Sequence, residues 1–196
     1  VSDLHLGRAA RGARHGAAVL PPYETRETID RLITDLERCA ARRVICLGDS
    51  FDFSGAAAAL PGPEAARLFR LAESRDWLWI LGNHDPAPET AHGRHARSWQ
   101  QGPLRFEHIA SDTGLPEVSG HYHPCLRLAL GGARVARPCF LLGRDRLVLP
   151  AYGRFTGGLD CRAPALAALA GPGARAILAG PTMAVLPLDA LGAGGR

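Results

Sequence analysis

The chain contains no lysine: all 23 of its cationic residues are arginine, set against 19 acidic residues for a formal net charge of +4. Such a mildly basic balance (pI about 9.1) is compatible with an anionic partner and does not select one. Arginine's flat fork matches phosphate oxygens, while a GC-rich genome produces the same exchange and also enriches alanine and glycine. Long apolar runs are missing too. The Ala-rich stretch after residue 163 is broken by Gly171, Pro172, Gly173, Gly180 and Pro181, which excludes a membrane-spanning helix there. Five cysteines, an odd number with no C-x-x-C pair, exclude a disulfide framework. Burial in a reducing compartment is their expected state, Cys39 on a helix and Cys46 in a strand. The sequence opens on no basic-then-apolar leader, so secretion has no support and the cytoplasm is the expected location.

What is present suits a soluble globular chain: 46% hydrophobic and 21% charged residues over 196 positions, with no repeat, heptad pattern or linker. That length predicts one domain. Val1 to Leu4 reads as the end of a strand, followed by a Gly/Arg-rich loop to Pro22. Residues 24–41 predict a helix, because Ile29, Leu32, Ile33, Leu36 and Ala40 recur at three- and four-residue steps. Val44 to Leu47 reads as a buried parallel strand. A second helix is predicted over 63–74, with Pro63 in its first turn, and a third strand over 77–81. From residue 104 the pattern predicts strands only, at 104–108, 117–120, 126–130, 134–142, 146–150, 174–179 and 182–187.

Five short motifs carry the chemistry: Asp3-Leu4-His5, Gly48-Asp49, Gly82-Asn83-His84-Asp85, His108, and Gly120-His121-Tyr122-His123. They offer two carboxylates, four imidazoles and one amide, with His84 to spare. That inventory suits two divalent cations sharing a carboxylate bridge. Two metals about 3.5–4 Å apart activate a water and clamp a phosphate in one step. The motifs fall at predicted strand ends, where open α/β sheets gather ligands. Asp3 and His5 are two residues apart, so a regular strand would turn both to one side, and the same holds for His121 and His123. His84, directly after Asn83, is expected to point away from the metals and to protonate the leaving oxygen, with Asp85 orienting its imidazole. Asp52 is expected to orient a metal-bound histidine.

In order and spacing, the motifs resemble the calcineurin-like metallophosphoesterase superfamily. That resemblance implies an α/β fold of two mixed β-sheets packed face to face and flanked by helices, an αββα sandwich. It also implies a ligand set: Asp3, His5 and His123 on one metal, Asn83, His108 and His121 on the other, Asp49 bridging, and a bridging hydroxide as nucleophile. A narrower set of segments resembles the bacterial ligase-associated DNA damage response endonucleases, the PdeM family. These are Ser2 to Gly7, Leu20-Pro21-Pro22, Ser119 to Pro124, Pro138-Cys139-Phe140, Leu147 to Gly153 and Phe155-Thr156-Gly157-Gly158. This second resemblance implies a manganese-dependent phosphodiesterase with DNA endonuclease activity, in repair, associated with a helicase and a DNA ligase and preferring single-stranded DNA. Fe²⁺ and Zn²⁺ also suit the ligand types. Arg8 stands where a lysine is common and keeps the charge with a different geometry.

Several residues have two readings. Arg8, Arg11 and Arg14 follow a metal motif and are candidates for phosphate contact or a solvated surface. Thr156, Gly157 and Gly158 either offer N–H groups to phosphate or form a plain turn. Arg94, His95 and Arg97 beside Trp99 read as a surface loop that could also meet a single strand. His15, His92 and His95 are expected to be solvated. Two other functions stay open: a phosphodiesterase of the same superfamily acting on a small nucleotide phosphoester, and a degenerate non-catalytic scaffold. His84 stands where lipid-precursor hydrolases commonly carry arginine. A longer native N-terminus is expected to add one or two strands to the short segment before Asp3. An extended chain should therefore melt at a higher temperature than this one; equal melting temperatures would remove the expectation.

Overall fold

The structure, a computed structural model, describes residues 1–14, 20–21, 23–180 and 183–191, with the backbone alone at 13, 14 and 130. His15 and the Arg14 side chain lie outside the described residues, as do Pro22 and the first residue of the strand expected at 182. Helix α1 spans Arg8–Arg14, where a loop is expected. Its start is held from the next helix, with Gly7 N–H donating to Thr25 Oγ1 (3.0 Å) and Ala9 N–H to Glu24 Oε1 (3.3 Å). These are helix-start N–H groups that have no partner within a helix of their own. An Ala/Arg segment of this kind carries no apolar stripe, so periodicity cannot reveal it.

Helix α2 (Glu24–Arg38) buries Ile29, Leu32 and Leu36 on one face. It stops short of the expected residue 41 because Ala40 turns left-handed, with φ +48°. Ala41 N–H then donates to Leu36 C=O and Ala40 N–H to Glu37 C=O, the paired bonds of a Schellman ending. Strand β1 (Arg43–Leu47) follows, then a single turn α3 (Ala56–Ala59), helix α4 (Gly62–Glu73) and strand β2 (Asp76–Ile80). Strand β1 pairs in parallel with β2, and β2 with β3 (Arg94–Ala96), giving a three-stranded sheet.

Then come β4 (Ser98–Gln101), β5 (Leu104–Glu107), β6 (Glu117–Ser119), β7 (Pro124–Leu130), β8 (Ala133–Leu142), β9 (Arg146–Val148) and β10 (Leu159–Asp160). Helix α5 (Pro164–Ala170), β11 (Arg175–Leu178), β12 (Ala184–Pro187) and a 3-10 turn over Leu188–Leu191 complete the chain. The large sheet runs β10-β7-β8-β9-β6-β5-β4, and β11 pairs with β8 and β12. The expected loop of Arg94, His95, Arg97 and Trp99 is thus two short strands, and the expected run of strands is interrupted by α5. That helix is two turns of Ala and Leu, too short for a 3.6-residue period to stand out.

Three apolar clusters order these layers. Leu32, Leu36, Leu68 and Ala72 of α2 and α4 pack with Val44, Cys46 and Trp77 of the small sheet. Leu47, Leu78 and Ile80 meet Trp99, Phe106 and Val118 of the large sheet. Leu126, Leu141 and Val148 meet Leu166 and Ala170 of α5. The fold is therefore α/β, two sheets face to face with helices outside them.

Residues 1–6 run along the seam. Asp3 N–H donates to Gly48 C=O (3.2 Å) and His5 N–H to Asp49 C=O (2.9 Å) on one side; Tyr152 N–H donates to Ser2 C=O (2.9 Å) and Gly153 N–H to Asp3 C=O (3.0 Å) on the other. Only Leu6, bridged to Phe51, has ladder pairing. All five cysteines are free. Ala40→Gly should remove left-handed strain and raise unfolding stability by about 0.5–1 kcal/mol, read as a higher urea midpoint at unchanged slope. An unchanged or lower midpoint would contradict the reading of that helix end.

Candidate metal centre

The motifs sit beyond the carboxyl ends of parallel strands. Asp49 follows β1, Asn83 and His84 follow β2, His108 follows β5, and His121 and His123 follow β6. The backbone there is unusual. Asp3, His5, Asp49, His121 and His123 all have φ between +46° and +68°, the left-handed region that side chains rarely adopt. Here the expectation of regular strands at Asp3/His5 and His121/His123 is corrected. Asp3 and His5 converge on one group of ligand atoms, through two left-handed residues flanking one ordinary residue, whereas His121 and His123, with the same backbone pattern, serve two different groups. Strain of this kind persists only where the surroundings hold it.

Close approach is made possible by the glycines before Asn83 and His121. A Cβ on Gly82 would fall on the Asp49 backbone N and Oδ1, and one on Gly120 would fall on Ser2 Oγ and within 2.6 Å of Asp3 Oδ2. Asp3 is fully buried; its carboxylate accepts the Ser2 hydroxyl and the His121 N–H (3.0 Å to Oδ2). The Ser2 contact is a site feature the sequence reading missed, and the Ser-Asp-Leu-His string is its only signal.

Candidate ligand atoms form three groups, each within 4.8 Å: Asp3, His5 and His123; Asp49, His108 and His121; and His5, Asp49 and His84. His123 Nε2 lies 3.1 Å from Asp3 Oδ1 and 3.4 Å from His5 Nε2. His108 Nε2 lies 3.4 Å from Asp49 Oδ2 and 2.9 Å from Asn83 Oδ1, on the only asparagine in the chain. The far sides of the rings decide their tautomers. His5 Nδ1 faces Asp52 Oδ1 (2.9 Å), His108 Nδ1 faces Leu47 C=O (2.8 Å) and His123 Nδ1 faces Gly157 C=O (3.2 Å). His108 Nδ1 and His123 Nδ1 each donate to a carbonyl and so carry the proton, which leaves their Nε2 lone pairs facing Asp49 and Asp3; His5 Nδ1 stands beside the Asp52 carboxylate without a hydrogen bond to it, and its Nε2 lies 3.4 Å from that of His123. Outer acceptors of this sort orient metal-bound imidazoles. The donor set therefore fits divalent cations.

Electrostatics agree with that geometry. Burial works to raise the Asp49 carboxyl, yet the His108 imidazole and the His84 N–H outweigh it and hold the pKa at about 2. Burial would lower His108, and the charges of Asp49 and Asp3 turn the shift upward. His121 is lowered, by burial first and His108 second.

Two expectations about His84 and Asp85 are corrected. His84 does not point away: its Nε2 is 3.9 Å from Asp49 Oδ2, and its ring stands edge-on to His5 at 5.1 Å. The reason is a backbone tie, His84 N–H to Asp49 Oδ1 (2.8 Å), which turns the residue over the centre. Asp85 does not orient His84. Its buried carboxylate accepts four backbone N–H groups, from Gly82 (2.9 Å) and Asp49 (3.0 Å) on Oδ1 and from Ser50 (2.8 Å) and Phe51 (3.1 Å) on Oδ2. His84 Nδ1 is met by the Asp52 carbonyl instead (2.9 Å).

Among the candidate substrate residues, Arg11 is committed internally: its Nε pairs with Asp52 Oδ2 (2.7 Å) and its Nη1 reaches His84 Nδ1 (3.3 Å). Arg8 is half-buried and has no ion pair among the described residues. Gly157 turns its carbonyl, not its N–H, toward His123. Thr156 and Gly157 line a cleft of about 250 Å³ that opens beside His123 and includes Arg127 and Gly158. His92 and His95 are half-buried and partnered, His92 with Glu73 and stacked on Phe69, His95 with the Thr90 carbonyl.

No family model matches the chain, and no curated protein matches it. Among solved structures, the Pseudomonas putida nuclease MPE is similar. The two are 28% identical and superpose with a TM-score of 0.70 over 96% of this chain and 86% of that one.

Burial dominates at Asp85 and pushes its pKa up to about 6, against the pull of its N–H donors. At pH 8 it is ionised and all four bonds stand. Asp85→Asn, which keeps one acceptor oxygen, should cost about 2–3 kcal/mol in urea unfolding of metal-free protein at that pH. A loss below about 0.5 kcal/mol would show that the carboxylate does not tie these loops.

Proposed function

We propose that the chain is a metal-dependent nuclease, an endonuclease that hydrolyses DNA phosphodiester bonds with two divalent cations, manganese first among them, and serves DNA repair in the cytoplasm. The observation that carries this reading is the convergence of Asp3, His5, Asp49, His108, His121 and His123, five of them on left-handed backbone, with the Asn83 amide oxygen beside His108. The likeness to a nuclease of 28% identity supports it. The chain works as one domain. No described helix is long and apolar enough to cross a membrane. Association with a helicase and a DNA ligase belongs to the same proposal.

Asp3, His5 and His123 would hold one cation, and Asn83, His108 and His121 the other, with Asp49 shared. Bound there, the cations supply an activated water and neutralise the phosphate. The chain's own groups do the rest. Asp52, fully buried between His5 and Arg11, sets a negative charge 2.9 Å from His5 Nδ1 and holds Arg11 beside His84. His84 keeps its Nδ1 proton on the Asp52 carbonyl and presents Nε2 toward Asp49, with a side chain 28% exposed. In its doubly protonated form, with a second proton on Nε2, it would donate that proton to the leaving oxygen as general acid and be left neutral, protonated on Nδ1. Arg8, free of any ion pair among the described residues, is available to a neighbouring phosphate.

A nicking assay on circular single-stranded DNA with Mn²⁺ tests this. Wild type should cut, and Asp49→Ala should be silent and lose bound metal. His84→Ala should keep both metals and slow DNA cleavage about 10²–10⁴-fold, with a smaller loss on an activated aryl ester that needs no proton. Equal losses on both substrates would reassign His84 to charge stabilisation, and loss of a metal would make it a ligand. Uncut DNA together with hydrolysis of small nucleotide phosphodiesters would move the substrate class.

A further inference from the structure

Seven described non-glycine residues have a positive φ. Five are candidate metal ligands, and Ala40 closes α2. The seventh, Phe155, at +58°, is neither. For a bulky side chain this backbone is an outlier, and an observed outlier is a reason to look for function. Burial does not explain it: Phe155 is 45% exposed and belongs to none of the apolar clusters.

The loop that presents the ring is fastened to the metal centre at both ends. Gly153 N–H donates to the carbonyl of Asp3 (3.0 Å), and Gly157 C=O accepts from His123 Nδ1 (3.2 Å). Between them Arg154 N–H is held by Thr28 Oγ1 (3.1 Å), and the Arg154 guanidinium lies 5.8 Å from the Phe155 ring centroid. Only Thr156 separates Phe155 from Gly157, a reach of about 7 Å at most. A rigid, exposed aromatic face thus stands at the rim of the centre, held by two of the ligand residues themselves.

We infer that Phe155 is a stacking platform for an unpaired nucleobase next to the scissile phosphate. The inference rests on the nuclease reading and deepens it. A base inside a duplex already has both faces covered, so such a platform rewards single-stranded or splayed DNA. Every base has a π-face, so the contact tolerates any sequence.

The test compares wild type, Phe155→Gly and Phe155→Trp on a single-stranded oligonucleotide and on the same strand with abasic sites flanking the cut. Glycine suits the left-handed turn, so Phe155→Gly removes the ring and keeps the loop. The expected result is a fall in kcat/KM of about tenfold for Phe155→Gly on the intact strand, carried mainly by KM, with Phe155→Trp near wild type. On the abasic strand the gap between wild type and Phe155→Gly should close. A 2-aminopurine beside the cut should lose emission on binding wild type and keep it with Phe155→Gly. Equal losses on both strands, or no loss at all, would overturn the stacking role and leave the nuclease reading intact. Wild type that neither cuts nor binds either strand would overturn both.

Discussion

One buried carboxylate, Asp85, joins the ends of two strands into a single platform. Its oxygens take N–H groups from three successive residues after β1 and from the glycine after β2. Without an acceptor, four buried donors would be left without partners, each at the cost of its lost hydration. With it, Asp49 is held left-handed, and its Oδ1 takes the His84 N–H in turn. Everything around Asp49 depends on this arrangement: the turn at Gly82 that admits its carboxylate, the placement of His84, and the distance from Asp49 to His108.

The sequence made the long elements and the ligand types legible. Helix α2 shows because Ile29, Leu32 and Leu36 share a stripe, and β1 and β2 because short apolar runs end in glycine. It did not show α1, α5 or the strands β3 and β4, where short length or an Ala/Arg composition leaves no period to detect. At the centre, the types and order of Asp3, His5, Asp49, Asn83, His108, His121 and His123 pointed to one place, and the structure brings them together. What pattern could not supply was conformation. The two-residue spacing suggested strands, whereas left-handed residues achieve the convergence. The partners of Asp85 are backbone N–H groups, which carry no signature in a string of side chains. The turn of His84 over the centre follows from a bond to Asp49, 35 residues away.

The environment of the imidazoles has a division of labour. The carbonyls of Leu47 and Gly157, outside the rings, fix the tautomers of His108 and His123, and carboxylates inside set the charge. Asp52 and Asp3 are both wholly buried, which a carboxylate tolerates only beside donors or cations. Arg11 supplies one such cation from a helix that also stands next to Glu24 and Thr25. The α1–α2 corner is in this way part of the centre's support as well as its neighbour.

Residues 1–6 thread the seam between the sheets and carry two of the candidate ligands, Asp3 and His5, which share a partner, His123, 118 positions beyond His5. Contacts of such long range carry a loop-closure cost that the docked sheets must repay. The centre is for that reason a sensor of completed folding. A cation that needs ligands more than a hundred residues apart in sequence has nothing to bind in a half-folded chain, so whatever free energy it contributes goes to the native state alone.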